Sequence, residues 1–144
     1  MREIFFKAKR VKNGEWIEGS LIDLDIDSGY CYIVPPYKQA STLPIGFLIT
    51  DGMELVIPET ICQLTGLCDK NGNKIWENDI LMAHLDESYP EDVTYITVKW
   101  NFAGFVAYEA GTDGEYLDEF DLEHYEVVGN IFDNKELLQE ESDE

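Results

Sequence analysis

Apolar residues in this chain recur at every second position in short runs, and the runs stop at glycine, proline or asparagine. A period of two sends alternate side chains to opposite faces of an extended strand, whereas a surface helix needs a period near 3.6. Ile4 to Lys9 opens the series, and Asn13-Gly14 is a hairpin signal. Trp16 to Asp27 forms the return strand, with Leu24 and Ile26 on one side and Asp23, Asp25 and Asp27 on the other. Tyr30 to Val34 follows, ended by Pro35-Pro36. Further strands are expected at 45–49 and 53–57, with one helical turn at Pro58-Glu59-Thr60. Asp69 to Gly72 carries type I turn chemistry, with Gly72 in the left-handed position. Strand patterns then recur at 75–76, 80–83, 93–100, 105–108 and 125–132. Asn134 is placed to cap a short helix through Leu137 and Leu138, ahead of a fraying acidic end. The alternation of strand and helix found in doubly wound nucleotide folds is missing, as is a glycine-rich phosphate loop. The reading is a mainly β protein.

With 144 residues, 44% of them hydrophobic and 28% charged, the chain can bury a core without staples and is not generally disordered. Cys31, Cys62 and Cys68 are odd in number and lack C-x-x-C spacing. They read as reduced structural thiols, Cys62 and Cys68 buried beside Ile61, Leu64 and Leu67. No apolar run reaches the ~18 residues of a membrane span. The first ten residues also lack the apolar stretch of a signal peptide, so the expected location is the cytoplasm, without a membrane partner.

Charge is the strongest statement about partners. Ten basic residues face thirty acidic ones, a net of −20. Residues 1–12 carry +4, residues 109–144 carry −13, and the middle holds the remaining −11. Such a field repels phosphate, so nucleic acid is disfavoured except through a basic arm of Arg2, Lys7, Lys9 and Arg10. An acidic surface that meets a basic partner protein, and pairing of basic start with acidic end between subunits, fit the charge better.

The familiar catalytic and metal-binding constellations are missing. Asp23-x-Asp25-x-Asp27 begins like a calcium loop but has Ser28 and Val34 where glycine and a bidentate glutamate belong. Asp69-x-Asn71-x-Asn73 fails alike, at Lys74 and Ile80. No serine lies in a nucleophile elbow, and His84 and His124 stand alone at strand ends. Thirty carboxylates supply many accidental pairs, so no single pair is a signal, and a hydrolase among them would draw on Asp69, Glu77 and Asp79. No catalytic, cofactor-binding or metal-ligating residue is assigned, and the chain is read as not an enzyme.

The stretch Gln63-Leu64-Thr65-Gly66-Leu67-Cys68-Asp69-Lys70-Asn71-Gly72-Asn73-Lys74-Ile75-Trp76-Glu77-Asn78-Asp79-Ile80 resembles the signature of the YopX-like family of phage and prophage proteins. The opening Arg2 to Ala8 and the closing Glu126 to Leu138 are similar to that family's ends. Asn78 stands where the family usually has glycine, Leu64 where it has an aromatic and Lys135 where it has proline. The resemblance implies an N-terminal β-rich segment, residues 1–60, and an SH3-type barrel with a short C-terminal helix, residues 61–144. It implies no activity, cofactor or site residue. Taken with the charge, it points to a non-catalytic phage or prophage accessory protein that forms homo-oligomers or meets a basic host or phage protein; the alternative is a nucleic-acid-associated protein that binds through the barrel or the N-terminal basic arm.

Overall fold

The computed structural model describes residues 5–25, 30–35, 53–84, 88–89, 91–101, 104–109, 114–116 and 122–139. The strand expected at 45–49 lies outside them. The chain divides into two compact units, Met1–Leu64 and Thr65–Glu144.

In the first unit, β1 (Phe6–Lys9) and β2 (Trp16–Asp25) form the expected hairpin, and β3 (Tyr30–Val34) and β4 (Glu54–Val56) continue it. Gly14 turns the hairpin at φ +75°. The expected helical turn at Pro58–Thr60 is a 3₁₀ turn, and β5 (Cys62–Cys68) follows it. β5 pairs back on β1 through Phe6–Gln63 and Lys7–Cys62, which gives the order β4-β3-β2-β1-β5. β4 also meets the continuation of β1 at one bridge, Arg10 opposite Val56, where Val11 N–H donates to Leu55 O and Ile57 N–H to Lys9 O. Ala8, Ile17, Cys31, Ile33 and Val56 pack together as the core, one inward residue from each turn of the pleat.

β5 crosses the boundary between the units. Its part beyond Leu64 lies beside β6 (Lys74–Trp76) in the second unit. There β7 (Asp79–His84), β8 (Val93–Asn101), β9 (Gly104–Glu109) and β10 (Glu115–Tyr116) run as an antiparallel meander. A 3₁₀ turn at Leu122–His124 leads to β11 (Glu126–Asn130), which pairs back on β7. The order β10-β9-β8-β7-β11 repeats that of the first unit: four strands in sequence, a 3₁₀ turn, and a fifth strand beside the first. Ile75, Leu81, Ile96, Val98, Phe105 and Ala107 make its core, and α1 (Glu136–Gln139) ends the described chain.

Mainly β architecture with a short C-terminal helix is therefore observed. The SH3-type barrel expected over 61–144 is not confirmed: among the described residues the sheet β10-β9-β8-β7-β11 does not close on itself. β10 is two residues long, and the outer side of β11 is occupied by side chains in place of another strand. Two strands escaped the sequence reading. β5 holds Gly66 at φ +86°, which breaks the period-two pattern, and β10 is exposed and too short to show one. Cys31 and Cys62 are buried, but Cys68 is exposed, because past Gly66 the strand no longer keeps its alternation of inner and outer residues.

Candidate functional site

The signature segment folds into a turn, a short strand and a second tight turn, and its polar residues bond to the chain's closing segment. Asp69 sits at the centre. It is 6% exposed, yet its carboxylate accepts four hydrogen bonds. Oδ1 accepts from the backbone N–H of Asn71 at 2.9 Å and of Asn73 at 2.8 Å, the geometry of an Asx turn. Oδ2 accepts from Val127 N–H at 2.9 Å and from Asn73 Nδ2 at 3.4 Å. Gly72, at φ +83°, donates its N–H to Asp69 O and closes the type I turn as expected. Burial pushes the Asp69 carboxyl pKa up. The bonds from Val127, Asn73 and Asn71 push it down and together win, so it lies below the ordinary 3.8.

Further bonds join the two segments. Lys70 N–H donates to Tyr125 O, Asn71 Nδ2 to Glu126 Oε2, and Ile131 N–H to Asn78 O. β11 is thus bonded to β7 on one side and to the Asp69 turn on the other, so its outer edge is not an open template for another strand. Beyond it, Asn130 Oδ1 accepts from Phe132 and Asp133 N–H, while Asn134 Oδ1 accepts from Asn130 N–H. The Asn134 side chain thereby caps a strand, not the helix expected to follow it. It lies so close over Gly129 that a Cβ there would collide with its Cβ, Cγ and Oδ1.

Asp79, 2% exposed, accepts from Trp76 N–H at 2.8 Å, and Trp76 and Ile80 pack inward as the turn requires. Between them Asn78 takes φ +72°, the left-handed conformation that explains glycine in the family pattern. Its Oδ1 accepts from Lys99 Nζ at 2.9 Å, a bond glycine cannot make. Replacing Asn78 with Gly should leave stability within about 1 kcal/mol, since lost strain offsets the lost bond. Asn78→Ala keeps the strain without the bond and should cost about 2 kcal/mol in a urea titration.

The cluster Asp69, Glu77 and Asp79 is not assembled into one centre. Asp69 meets β11 at Val127 and Asp79 pairs with it at Asn130, contact points roughly 10 Å apart along the strand. Both buried carboxylates accept from backbone donors, an arrangement that fixes turns. Among the described residues no three His, Cys, Asp or Glu side chains are grouped to hold a metal. His84 and His124 are exposed, and Asp23 lies within 3.7 Å of Cys31 Sγ. A shallow groove of about 220 Å³ beside the Asp69 turn is lined by Cys68, Asp69, Lys70, Leu122 and Glu123. Sequence reasoning found the turn chemistry but not the partners across β11, since nothing local marks a bond spanning 58 positions.

These same segments decide the family. The profile of the YopX protein family matches residues 6–139, nearly the whole chain. The chain belongs to the YopX family. A solved structure, the crystal structure of protein EF1440 from Enterococcus faecalis, is similar to it with a TM-score of 0.61 and 24% identity, over 96% of this chain and 99% of that one. At that identity the likeness is one of fold. Curated proteins offer no significant match. No helix among the described residues is long and apolar enough to cross a membrane.

Proposed function

We propose that this YopX-family chain is a non-catalytic accessory protein of phage or prophage origin, working in the cytoplasm through protein–protein contact. The observation that carries the reading is where the charge lies. The first unit holds 6 basic and 9 acidic residues, a net of −3; the second holds 4 and 21, a net of −17. An acidic unit of this density favours a basic partner, host or phage, and like-charge repulsion turns away acidic ones. The chemistry-bearing residues of the signature are engaged in backbone bonds, which supports a structural role for them.

Both units are read as SH3-type β modules, on the shared strand order with a 3₁₀ turn ahead of the fifth strand. The chain is further read as a homo-oligomer, which light scattering coupled to size exclusion tests; a monomer at every concentration removes that element. The partner reading is tested by affinity capture from nuclease-treated host lysate. The expected result is a discrete basic protein retained at about 50 mM salt and released at about 500 mM, because screening shortens the reach of surface charge. Retention that ignores salt would contradict an acidic contact surface.

A further inference from the structure

The inward side of β8 runs past the end of the second unit's core. Alternation places Thr94, Ile96, Val98 and Trp100 on one face of the strand. The first three are buried, whereas Trp100 keeps 46% of its surface open. Its register partner Phe105 is buried and meets it edge-on, with ring centroids 4.9 Å apart and planes at 67°. That contact seats the indole at the rim of the core and leaves nearly half of it uncovered.

The chemistry of the place says what suits it. Tryptophan carries a large apolar payload and is enriched among the residues that dominate binding energy. A ring already seated against a buried neighbour loses little conformational freedom when a partner arrives. The unit around it is anionic, with Lys70, Lys74, Lys99 and Lys135 against 21 acids, so the groups drawn to its surface are cationic. Lys99 is the cation next to Trp100 in sequence, and alternation turns it to the opposite face of β8. There its Nζ donates to Asn78 Oδ1 at 2.9 Å. An indole is the strongest aromatic acceptor of a cation. The planar, weakly hydrated guanidinium stacks on such a ring, whereas an ammonium holds its water more tightly.

We infer that Trp100 anchors the acidic contact surface by taking an arginine side chain from an arginine-rich segment of the basic partner, the guanidinium stacked on the indole. The inference rests on the proposed reading of the second unit as a surface for a basic protein, and it names the side chain that surface selects.

The test titrates the full chain into two labelled peptides of equal length and charge, a Gly-Arg repeat and a Gly-Lys repeat, and follows fluorescence anisotropy near 50 mM salt. The parent should bind the arginine peptide about five-fold more tightly than the lysine peptide. Trp100→Ala should remove that preference while changing the lysine peptide's affinity less than about two-fold, and Trp100→Phe should keep part of it. The arginine peptide should also alter tryptophan emission in the parent but not in Trp100→Phe, which retains Trp16 and Trp76. Circular dichroism checks that both variants are folded. Equal binding of the two peptides by the parent, or an arginine preference that survives in Trp100→Ala, overturns the inference and leaves the acidic-surface reading standing. Failure of both peptides to bind overturns that reading and the inference with it.

Discussion

Replacing Asp69 with Ala should lower the stability of the second unit by about 3 kcal/mol in urea and its Tm by more than about 10 °C. The size of the effect comes from unequal partners. Asn71 and Asn73 are exposed, so water can replace the carboxylate at their amides at small net cost. Val127 is half-buried on the outer edge of β11, and its N–H loses a charged acceptor with poor access to water. Asp69→Asn should cost less, about 2 kcal/mol, since one oxygen still accepts while the new amide faces an N–H donor. The same carboxylate sets a pH dependence. Its folded pKa is depressed, so its contribution is whole above the unfolded carboxyl value, about 3.9, and is lost as pH falls through the folded one. The stability gap between the parent and Asp69→Ala should therefore be constant from pH 7 to about 5 and shrink below about 4. A gap that stayed constant to pH 3 would show that the charge of Asp69 contributes nothing.

The second large effect is expected at Leu81. It is fully buried in the second unit's core, between β11 partner Val127 and β8 partner Ile96. Leu81→Ala removes the transfer free energy of three methylene-sized groups and leaves a cavity that close-packed strands cannot collapse, about 3–4 kcal/mol in all. Trp100 makes the contrast. It is larger but 46% exposed, meeting Phe105 edge-on at 4.9 Å and 67°. Trp100→Ala should cost no more than about 1.5 kcal/mol in the same titration. If the two costs were reversed, the core would not be where the burial places it.

How far the sequence reached follows from which signals are local. The hairpin at Asn13-Gly14, the 3₁₀ turn at Pro58–Thr60 and the Asp69 to Gly72 turn were legible because each is decided within four or five residues. Asn78 was legible for the same reason, as a left-handed position that only glycine or asparagine fills readily. The expected barrel over 61–144 was not seen because closure depends on what lies outside β11, and there Asp69 and Asn134 take the place of a strand. Cys68 was misplaced because apolar neighbours such as Leu64 and Leu67 do not fix which face a side chain takes, and past Gly66, at positive φ, Cys68 is exposed. The pairing of Asp69 with Val127 left no trace in the sequence, since the turn residues would look the same without it. The gathering of Lys7 and Lys9 over Trp16 was half legible: the basic run was plain, but only strand register separates these lysines from Arg10.

On the proposed function, the signature is an anchor and partner contact rides on the acidic surface of the second unit. One measurement separates the two: affinity capture from nuclease-treated lysate, run side by side with the parent chain, Asp69→Asn, and a variant with exposed Glu91, Glu115, Glu123 and Glu136 changed to Gln. At a temperature where circular dichroism shows all three folded, Asp69→Asn should retain the basic partner at about 50 mM salt and the four-fold variant should lose it. Loss of the partner by Asp69→Asn together with full retention by the four-fold variant would contradict the account and make the Asp69 turn the functional site.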